Sequence, residues 1–167
     1  MKYLTTEYDK KLHKKNNFLC SKEPLTIYLQ NYAGQDSKRN LVKVYVITNA
    51  NSEIIGYYTL TASSLPIDAI PNELLKRPPK GYTYPCILIG RLAIHSKEEG
   101  KGYGTALLAD AVLRSIEAST IIGTAAISVL PIDKNAKKFY DQFGFVELVD
   151  NPHMIMKIDE KLLGKLR

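Results

Sequence analysis

Three glycines fall within five residues in the stretch EEGKGYGTALL, at Gly100, Gly102 and Gly104. Glycine loses more conformational freedom on folding than any other residue, so such a cluster needs a physical reason. An apolar stretch precedes the cluster and a run with helical periodicity follows it. A glycine turn before a helix can direct backbone N–H groups and the positive end of the helix dipole at a pyrophosphate. A flexible loop is the simpler alternative.

Two common nucleotide-binding motifs do not fit this spacing. A P-loop requires Gly-x-x-x-x-Gly-Lys-Ser/Thr, and a dinucleotide-binding fold requires Gly-x-Gly-x-x-Gly after its first strand. The spacing here is Gly-x-Gly-x-Gly, and no second dinucleotide-binding half follows. The cluster therefore indicates an anion site of a different type.

The N-terminal third predicts a helix over PLTIYLQNYAGQDSKRN, residues 24–40. Its apolar residues recur at helical spacing on one face: Leu25, Tyr28, Leu29 and Tyr32. Ser21 is a suitable N-cap residue, and Asn40 is suited to close the far end of the helix.

The rest of the chain alternates between strand and helix patterns. Residues 41–48 and 54–62 are β-rich and flank the turn NANSE, which predicts an antiparallel hairpin. Residues 86–94 form an apolar run interrupted by Gly90 and Arg91, typical of a central strand buried on both faces. The connector before that run should contain a helical turn over 72–76 and stop at prolines 78 and 79.

Beyond the glycines, we expect a helix at 103–119, a buried strand at 120–130 and a short helix at 133–143. Two closing strands should follow at 144–148 and 153–158. This pattern predicts an α/β or α+β domain with a mixed sheet. A right-handed crossover should join the two strands that flank the glycine loop and its helix.

Composition favours one domain over residues 1–167, because 167 residues with 45% hydrophobic content is the usual size and make-up of a single core. The cysteines, Cys20 and Cys86, lack metal-ligand spacing, so we expect a reduced protein without a structural metal. No run of about 18 apolar residues and no apolar N-terminal segment is present. We therefore expect a cytoplasmic protein that does not enter a membrane.

The positive charge is concentrated at one end of the chain. The net charge is +6, and residues 1–50 hold nine Lys or Arg against four Asp or Glu, a net of +5. A basic region of this kind favours an anionic partner such as a nucleic acid, a phosphorylated cofactor or an acidic protein. A solvated face that only improves solubility is the alternative.

Two stretches resemble the GNAT superfamily of acyl-CoA N-acyltransferases. Residues 99–104 read Glu-Gly-Lys-Gly-Tyr-Gly, similar to the family's Gln/Arg-x-x-Gly-x-Gly/Ala, and NAKKFYDQFGF supplies Asn135, Tyr140, Gly144 and Phe145. The resemblance spans residues 40–158. It implies the GNAT fold, with a mixed, mostly antiparallel central sheet, flanking helices and a central β-Gly-loop-α-β unit, and acetyl-CoA as cofactor.

The resemblance also implies which residues contact acetyl-CoA. These are Leu92, Ile94, Gly100, Lys101, Gly102, Tyr103, Gly104, Thr105 and Asn135. Leu92 and Ile94 would act through main-chain groups on a strand splayed from its neighbour. Glu99 stands where the family has Gln or Arg, so its side chain would lose that contact while the backbone amides still serve. A capping role near Asp133 is the alternative for Asn135.

A narrower resemblance extends from Phe18 to Ile158. The segments QDSKR, GYYTL and GRLAI look like the GNAT toxins of type II toxin–antitoxin pairs. Such proteins acetylate the α-amino group of aminoacyl-tRNA and block translation, they are bound by an antitoxin, and they are commonly homodimers. The tRNA contacts expected here are Lys38, Arg39, Arg77 and Arg91, with Lys76 and Lys80 as further candidates.

The chemistry needs a neutral amine and a proton for the departing thiolate. An α-amino group has a pKa near ~8, so a dedicated base is unnecessary. His95, beside the glycine loop, could accept a proton, or it could be an ordinary residue at the end of a strand. The resemblance implies that Tyr140 is the general acid. Arg91, in an apolar strand, would contact tRNA phosphates or form a salt bridge within the fold.

Two other functions fit the same residues. The chain could be a GNAT enzyme that acetylates a small amine, a protein N-terminus or a lysine. It could also be a non-catalytic module that binds acyl-CoA or RNA.

Overall fold

In the part of the chain that the structure describes, seven strands form one mixed, mostly antiparallel sheet. The sequence predicted a mixed sheet and six of these strands, but not the two-residue first strand. The seven strands are β1 (Thr6–Glu7), β2 (Lys43–Thr48), β3 (Ile54–Pro66), β4 (Thr83–Ile94), β5 (Ala126–Val129), β6 (Val146–Leu148) and β7 (Asn151–Lys157). Their order is β1-β2-β3-β4-β5-β7-β6. β4 and β5 are parallel, whereas β1 with β2, β2 with β3, and β7 with β5 and β6 are antiparallel.

The helices are α1 (Glu23–Ile27), α2 (Ala33–Lys38), α3 (Tyr103–Ser119), α4 (Lys134–Gln142) and α5 (Glu160–Gly164). A π turn (Tyr28–Tyr32) joins α1 to α2, and 3₁₀ turns lie at Ile67–Ala69, Asn72–Leu74 and Ser96–Glu98. This computed structural model describes residues 3–75 and 80–164. The predicted proline stop at 78 and 79 lies outside these residues.

The chain divides into two compact units. The first unit contains Met1–Thr61 and Gly90–Val112, and the second contains Ala62–Ile89 and Leu113–Arg167. The long strands β3 and β4 each contribute residues to both.

In the first unit, the predicted N-terminal helix is interrupted by the π turn. A π turn accommodates one extra residue, which rotates the following side chains relative to a continuous α-helix. Tyr28 and Leu29 are therefore buried as expected, but Tyr32 is 55% exposed and Ala33 takes the buried position instead. The placement of Tyr32 on the apolar face was wrong.

The ends of this helical segment follow local rules only in part. The N-cap is Lys22, not Ser21, because Pro24 occupies the first turn and fixes where the helix begins. At the other end Asn40 closes the helix, as predicted, and it does so as a left-handed residue with φ +56.

The predicted hairpin is confirmed. β2 pairs antiparallel with β3 from Lys43 opposite Leu60 to Thr48 opposite Ile54. Tyr57 and Tyr58 are fully buried on opposite faces of β3, where each reaches a different layer of the unit.

In the second unit, β4 and β5 pair in parallel over Cys86–Ile89 and Ala126–Val129, so a crossover through the glycine loop and α3 connects them. The predicted β5 was too long at its start, since Ile121 and Ile122 are 85% and 69% exposed in the turn after α3. β4 is central in the sheet, but Leu88 and Leu92 are only half-buried. Its burial on both faces was therefore overestimated.

A buried carboxylate links α3 to the N-terminal segment and to β3. Asp110 is 6% exposed and accepts hydrogen bonds from the Leu4 N–H (2.6 Å), the Thr5 hydroxyl (2.6 Å) and the Tyr58 hydroxyl (2.7 Å). A buried charge is stable only when hydrogen bonds replace its hydration. This cluster therefore fixes the lateral position of α3 within the first unit.

Removing the Asp110 carboxylate should destabilise the fold. Asp110→Ala removes the carboxylate that accepts from the buried Thr5 and Tyr58 hydroxyls and from the part-buried Leu4 N–H, and we expect it to lower the free energy of unfolding by about 3 kcal/mol. Tyr58→Phe removes one of the donors and should cost about 1 kcal/mol. Urea denaturation followed by circular dichroism measures both. Glu73→Ala, on an exposed 3₁₀ turn, is the control and should stay within about 0.5 kcal/mol; an Asp110→Ala variant as stable as this control would contradict the role of the cluster.

Candidate active site

The glycine loop owes its composition to backbone conformation. Gly100 has φ +76 and Gly102 has φ +86, in the left-handed region that side-chain-bearing residues avoid. A Cβ atom at either position would meet nothing within 4 Å, so neither glycine makes room for a neighbouring protein atom. The loop is thus a defined turn, with space in front of it, that only glycine adopts without strain.

Directly after this turn, α3 begins at Tyr103, as the sequence predicted. The Ala106 N–H donates to the Gly102 carbonyl at 3.1 Å and closes the first turn of the helix. The N–H groups of the residues before Ala106 have no acceptor within the helix and carry the positive end of its dipole. Alternating left-handed residues before such a terminus form a concave arrangement of N–H groups that suits an anion.

The side chains of the loop offer fewer groups to an anion than its backbone does. Lys101 Nζ lies 2.8 Å from Glu98 Oε2, so this lysine pairs with an acid of its own segment. Glu99 and Thr105 are exposed, and Tyr103 is half-buried. An anion at this loop would therefore be held mainly by main-chain groups.

The end of β4 carries Leu92 and Ile94. Pairing with β5 stops at Ile89, so Gly90 to Ile94 extend five residues past the last paired residue. The Ile94 side chain packs in the core: a Cβ added to Gly56 would lie 2.8 Å from Ile94 Cδ1 and 2.9 Å from Leu107 Cδ1. The strand end thus offers main-chain groups beyond the β5 ladder, and its side chains contribute to packing.

His95 has a structural role that leaves no nitrogen for proton abstraction. Its Nδ1 accepts the Lys97 N–H at 3.1 Å, which requires the proton to be on Nε2. Nε2 lies 2.9 Å from the Asn17 carbonyl and donates to it. Phe18 packs edge-on against the ring. Of the two readings left open by the sequence, the strand-end residue is the one the structure supports.

In the second unit, Tyr140 lies near the end of α4. Asp133 caps the start of this helix by accepting the Ala136 N–H at 2.8 Å, so Asn135 is not needed as a cap and is exposed. After α4, Gly144 adopts φ +91 and turns the chain so that the buried Phe145 packs against the Tyr140 ring, with centroids 5.6 Å apart. The Gly-Phe turn therefore fixes one side of the tyrosine ring.

The Tyr140 hydroxyl has no hydrogen-bond partner among the residues that the structure describes, although the side chain is only 8% exposed. Burial raises the pKa of this phenol to about 12. The group stays protonated at neutral pH and is available as a donor. By contrast, the hydroxyls of Tyr28 and Tyr57 donate within the first unit, to the Asp36 carboxylate and the Leu25 carbonyl.

Arg91 does not form the salt bridge considered from the sequence. Its Cζ lies 3.5 Å from the centroid of the Tyr28 ring, and within the described ranges no carboxylate lies at ion-pair distance from its guanidinium. The arginine is half-buried and is held by an aromatic face instead of a counter-ion.

A basic groove of about 1100 Å³ lies in the first unit, between the N-terminal segment and α2. Its lysines are Lys10, Lys14, Lys15 and Lys38. The two acids that line it are engaged: Glu7 pairs with Lys43 at 3.0 Å, and Asp9 accepts the Lys11 N–H at 2.8 Å. The groove is therefore electropositive.

The predicted tRNA contacts are distributed as follows. Lys38 lines the basic groove, and Arg39 is the exposed C-cap of α2. Arg77, with Lys76, lies outside the described residues, whereas Lys80 is exposed. Lys10, Lys14 and Lys15 were not predicted as site residues, although the excess of positive charge in residues 1–50 pointed to this region.

Two further expectations bear on the class of protein. Both cysteines are buried and unpaired, and no group of three or more metal-ligating side chains is found in residues 3–75 and 80–164. In that same part of the chain, no helix combines the length and apolar character needed to cross a bilayer.

A strand leading into a left-handed glycine turn and a helix start, with a crossover back to a parallel strand, is the architecture that the acetyltransferase motifs implied. The chain matches the family model of the acetyltransferase (GNAT) domain over residues 40–147. It therefore belongs to the GNAT acetyltransferase family, which confirms the resemblance of the glycine loop and of NAKKFYDQFGF.

Its relatives include toxins. A tRNA-acetylating toxin of Mycobacterium tuberculosis is 33% identical over 121 residues, covering 71% of this chain and 72% of the relative. AtaT complexed with acetyl-methionyl-tRNAfMet superposes with a TM-score of 0.85 at 25% identity and 99% coverage of both chains. A tyrosine-to-phenylalanine mutant of AtaT, bound to the C-terminus of the antitoxin AtaR and acetyl-CoA, gives 0.79 at 22% identity, covering 99% and 98%.

Burial of Tyr140 should be visible in the pH dependence of stability. Its folded pKa, about 12, exceeds the value near 10 in an unfolded chain, so the folded state keeps the proton longer. The stabilisation is complete below pH 10 and is lost as the pH rises toward about 12. Between pH 9 and 11 we expect the wild type to lose about 1 kcal/mol more than Tyr140→Phe in urea denaturation.

The matched control is Tyr82→Phe, which removes a phenol that is 66% exposed. This variant should follow the wild type across the same pH range. Equal losses in the wild type and Tyr140→Phe would show that the Tyr140 phenol is not buried in the folded protein.

Proposed function

We propose that this protein transfers an acetyl group from acetyl-CoA to the free α-amino group of aminoacyl-tRNA and thereby blocks translation as a toxin. The observation that carries the proposal is the glycine turn at Gly100 and Gly102 in front of α3. It gives a GNAT-family chain, similar to a tRNA-acetylating toxin, the main-chain site that a CoA pyrophosphate requires.

The residues present fit acetyl-CoA. The concave turn at Gly100 and Gly102 has open space where side chains would stand, and the residues from Gly100 to Thr105 would bind the pyrophosphate through N–H groups. Lys101 and Tyr103 would contribute by their main chain, since the Lys101 side chain pairs with Glu98. Leu92 and Ile94, past the β5 ladder, would offer main-chain groups to the pantetheine arm, and Asn135 would contact the cofactor from α4.

The amine needs little activation from the protein. An α-amino group with a pKa near ~8 is partly neutral at pH 7, so its lone pair is available without a strong base. His95 has both ring nitrogens engaged and is not assigned this role. The chain's task at the amine is therefore to position it.

Tyr140 would act as the general acid. Acetyl-CoA supplies the acetyl group as a thioester when bound. As the amine nitrogen bonds to the acetyl carbon and the C–S bond breaks, the Tyr140 phenol, kept protonated by its raised pKa, would donate its proton to the departing sulfur. The amine would lose a proton to solvent, and solvent would return one to the phenol. Because this hydroxyl has no partner in the described part of the chain, donation would cost no hydrogen bond of the fold.

The tRNA would be bound by the basic groove and by further cations of the chain. Lys38 in the groove, together with Arg39, Arg77 and Arg91, would contact phosphates of the acceptor arm. The net charge of +5 in residues 1–50 would attract the polyanion at long range.

The wider role follows from the same proposal. A toxin of this kind acts in the cytoplasm, where charged tRNA is found, and requires an antitoxin partner, as in the AtaT complex with the AtaR C-terminus. Residues 1–167 would work as one GNAT domain, and a homodimer remains a prediction.

The first test is acetyl transfer to total tRNA. We expect the purified protein and radiolabelled acetyl-CoA to label aminoacyl-tRNA and not the same tRNA stripped of its amino acids, because only the former has an α-amino group. Sorting the labelled tRNAs identifies the amino acid. Label on neither sample, with acetyl-CoA still bound, would contradict the proposal and favour a small amine or a protein as acceptor.

In the same assay, Tyr140→Phe should lower kcat by about 10²-fold or more, since the departing sulfur loses its proton donor. Tyr82→Phe, at an exposed tyrosine of the same unit, is the control and should match the wild type. A Tyr140→Phe variant with wild-type kcat would rule out the assigned general acid.

The glycine turn makes a separate prediction for cofactor affinity. Gly102→Ala forces a Cβ into left-handed backbone at a cost of about 1–2 kcal/mol, or moves the N–H groups away from the anion. We expect the Kd for acetyl-CoA, by isothermal titration calorimetry, to rise about tenfold. Gly123→Ala is the matched control: Gly123 also has open space around it but lacks a positive φ, and its variant should bind normally.

A further inference from the structure

The half-buried arginine of β4 has an unusual set of neighbours. Arg91 Cζ lies 3.5 Å from the Tyr28 ring centroid, and Tyr28 is 5% exposed. Within the residues described, no carboxylate neutralises the guanidinium. A cation removed from water in this way retains N–H donors that a second, anionic partner can bind.

Asp36 is the acid associated with this cluster, and it serves the tyrosine. The Tyr28 hydroxyl donates to Asp36 Oδ2 at 3.0 Å, which holds the far end of the ring on α2. Burial and this hydrogen bond raise the pKa of Tyr28 to about 12. The carboxylate is therefore used to hold the ring, and in residues 3–75 and 80–164 no acid lies at ion-pair distance from Arg91.

Two further features orient the Tyr28 ring: a second tyrosine stacked on it and the π turn that carries its backbone. Tyr57 stacks on Tyr28 with centroids 6.5 Å apart and a 19° angle between planes, and its hydroxyl donates to the Leu25 carbonyl at 2.6 Å. Tyr28 is the first residue of the π turn, and π turns are concentrated at functional sites in proteins. The π turn, Asp36 and Tyr57 together give the Tyr28 ring one orientation.

We propose that Tyr28 is a positioning residue: its ring, fixed by Asp36 and Tyr57, holds the Arg91 guanidinium in place to bind a phosphate at the acceptor end of the tRNA. The inference rests on the proposed function, because it concerns the substrate of that reaction. A planar guanidinium against an aromatic face keeps its N–H edge available for a phosphodiester. Lysine would lose both the stacking and the fork-shaped donor set.

The test uses the full-length protein and steady-state acetylation of aminoacyl-tRNA at several salt concentrations. Arg91→Gln and Tyr28→Leu should each raise KM for aminoacyl-tRNA about tenfold, and leave the Kd for acetyl-CoA unchanged. The salt slope of log(kcat/KM) should fall by about 0.7–0.9 in both, the amount expected for one lost phosphate contact. A purely structural defect would not change this slope.

The double variant Tyr28→Leu/Arg91→Gln tests whether the two residues act as a unit. Its KM and salt slope should equal those of Arg91→Gln, because the ring has no further role once the guanidinium is gone. Additive effects would overturn the proposal, as would a Tyr28→Leu variant with an unchanged salt slope. Arg91→Lys should behave as Arg91→Gln in KM, since an ammonium cannot replace the stacked fork.

Graded variants keep the test informative if Tyr28→Leu does not fold. Tyr28→Phe retains the ring face and should raise KM less than threefold. Asp36→Ala releases the Tyr28 hydroxyl and should raise KM by a similar factor, that is, by less than threefold. Tyr32→Leu, in the same π turn but 55% exposed, is the control and should match the wild type. A normal salt slope in Arg91→Gln would by itself exclude a phosphate contact.

The two proposals fail in different ways. If the wild type labels no tRNA, the proposed function fails. The tRNA affinity of Arg91→Gln, compared with that of the wild type by filter retention, still decides whether the arginine contacts phosphate. If the wild type acetylates aminoacyl-tRNA but Tyr28→Leu and Asp36→Ala keep wild-type KM and salt slope, the inference fails and the proposed function stands.

Discussion

A helix terminus binds an anion well only if the helix is held in place, and in this protein a buried carboxylate holds it. Asp110 lies less than three turns into α3 and accepts three hydrogen bonds from the N-terminal segment and β3. Hydrogen bonds from these donors offset the cost of burying the charge. The glycine turn ahead of Tyr103 thus presents its N–H groups from a helix whose sideways position is fixed.

The buried tyrosines differ in what their hydroxyls contact: three donate within the fold, whereas those of Tyr84 and Tyr140 have no acceptor among the residues that the structure describes. Tyr28, Tyr57 and Tyr58 donate their hydroxyls to acceptors within the first unit. Tyr140 is equally buried, but its hydroxyl is committed to no acceptor in the part of the chain that the structure describes. Composition alone, with eleven tyrosines, could not separate these roles; only the resemblance of NAKKFYDQFGF to the GNAT family pointed to Tyr140.

The sequence predicted best where the determinants were local. Glycine at a left-handed position and apolar residues at helical spacing predicted both the turn and the bounds of α3, Tyr103–Ser119. The π turn was missed because it shifts the apolar pattern by one residue, which exposes Tyr32 and buries Ala33. Asp110 and the Tyr28–Arg91 contact were missed because each joins residues more than 50 positions apart, and only the folded chain brings them together.

The first unit carries two kinds of positive charge, the lysines of the basic groove and the half-buried Arg91. The groove lysines are exposed or half-buried residues, suited to long-range attraction of an anion. Such attraction is screened by salt and does not depend on exact geometry. Arg91 is a single cation partly removed from water and oriented by Tyr28, so its contribution depends on the exact position of its partner. An enzyme that must attract a large polyanion and then place one amine against a thioester needs both, since attraction alone would leave the acceptor end unaligned. In the proposed function, the basic N-terminal third and the aromatic support of Arg91 would therefore be complementary parts of one substrate-binding arrangement.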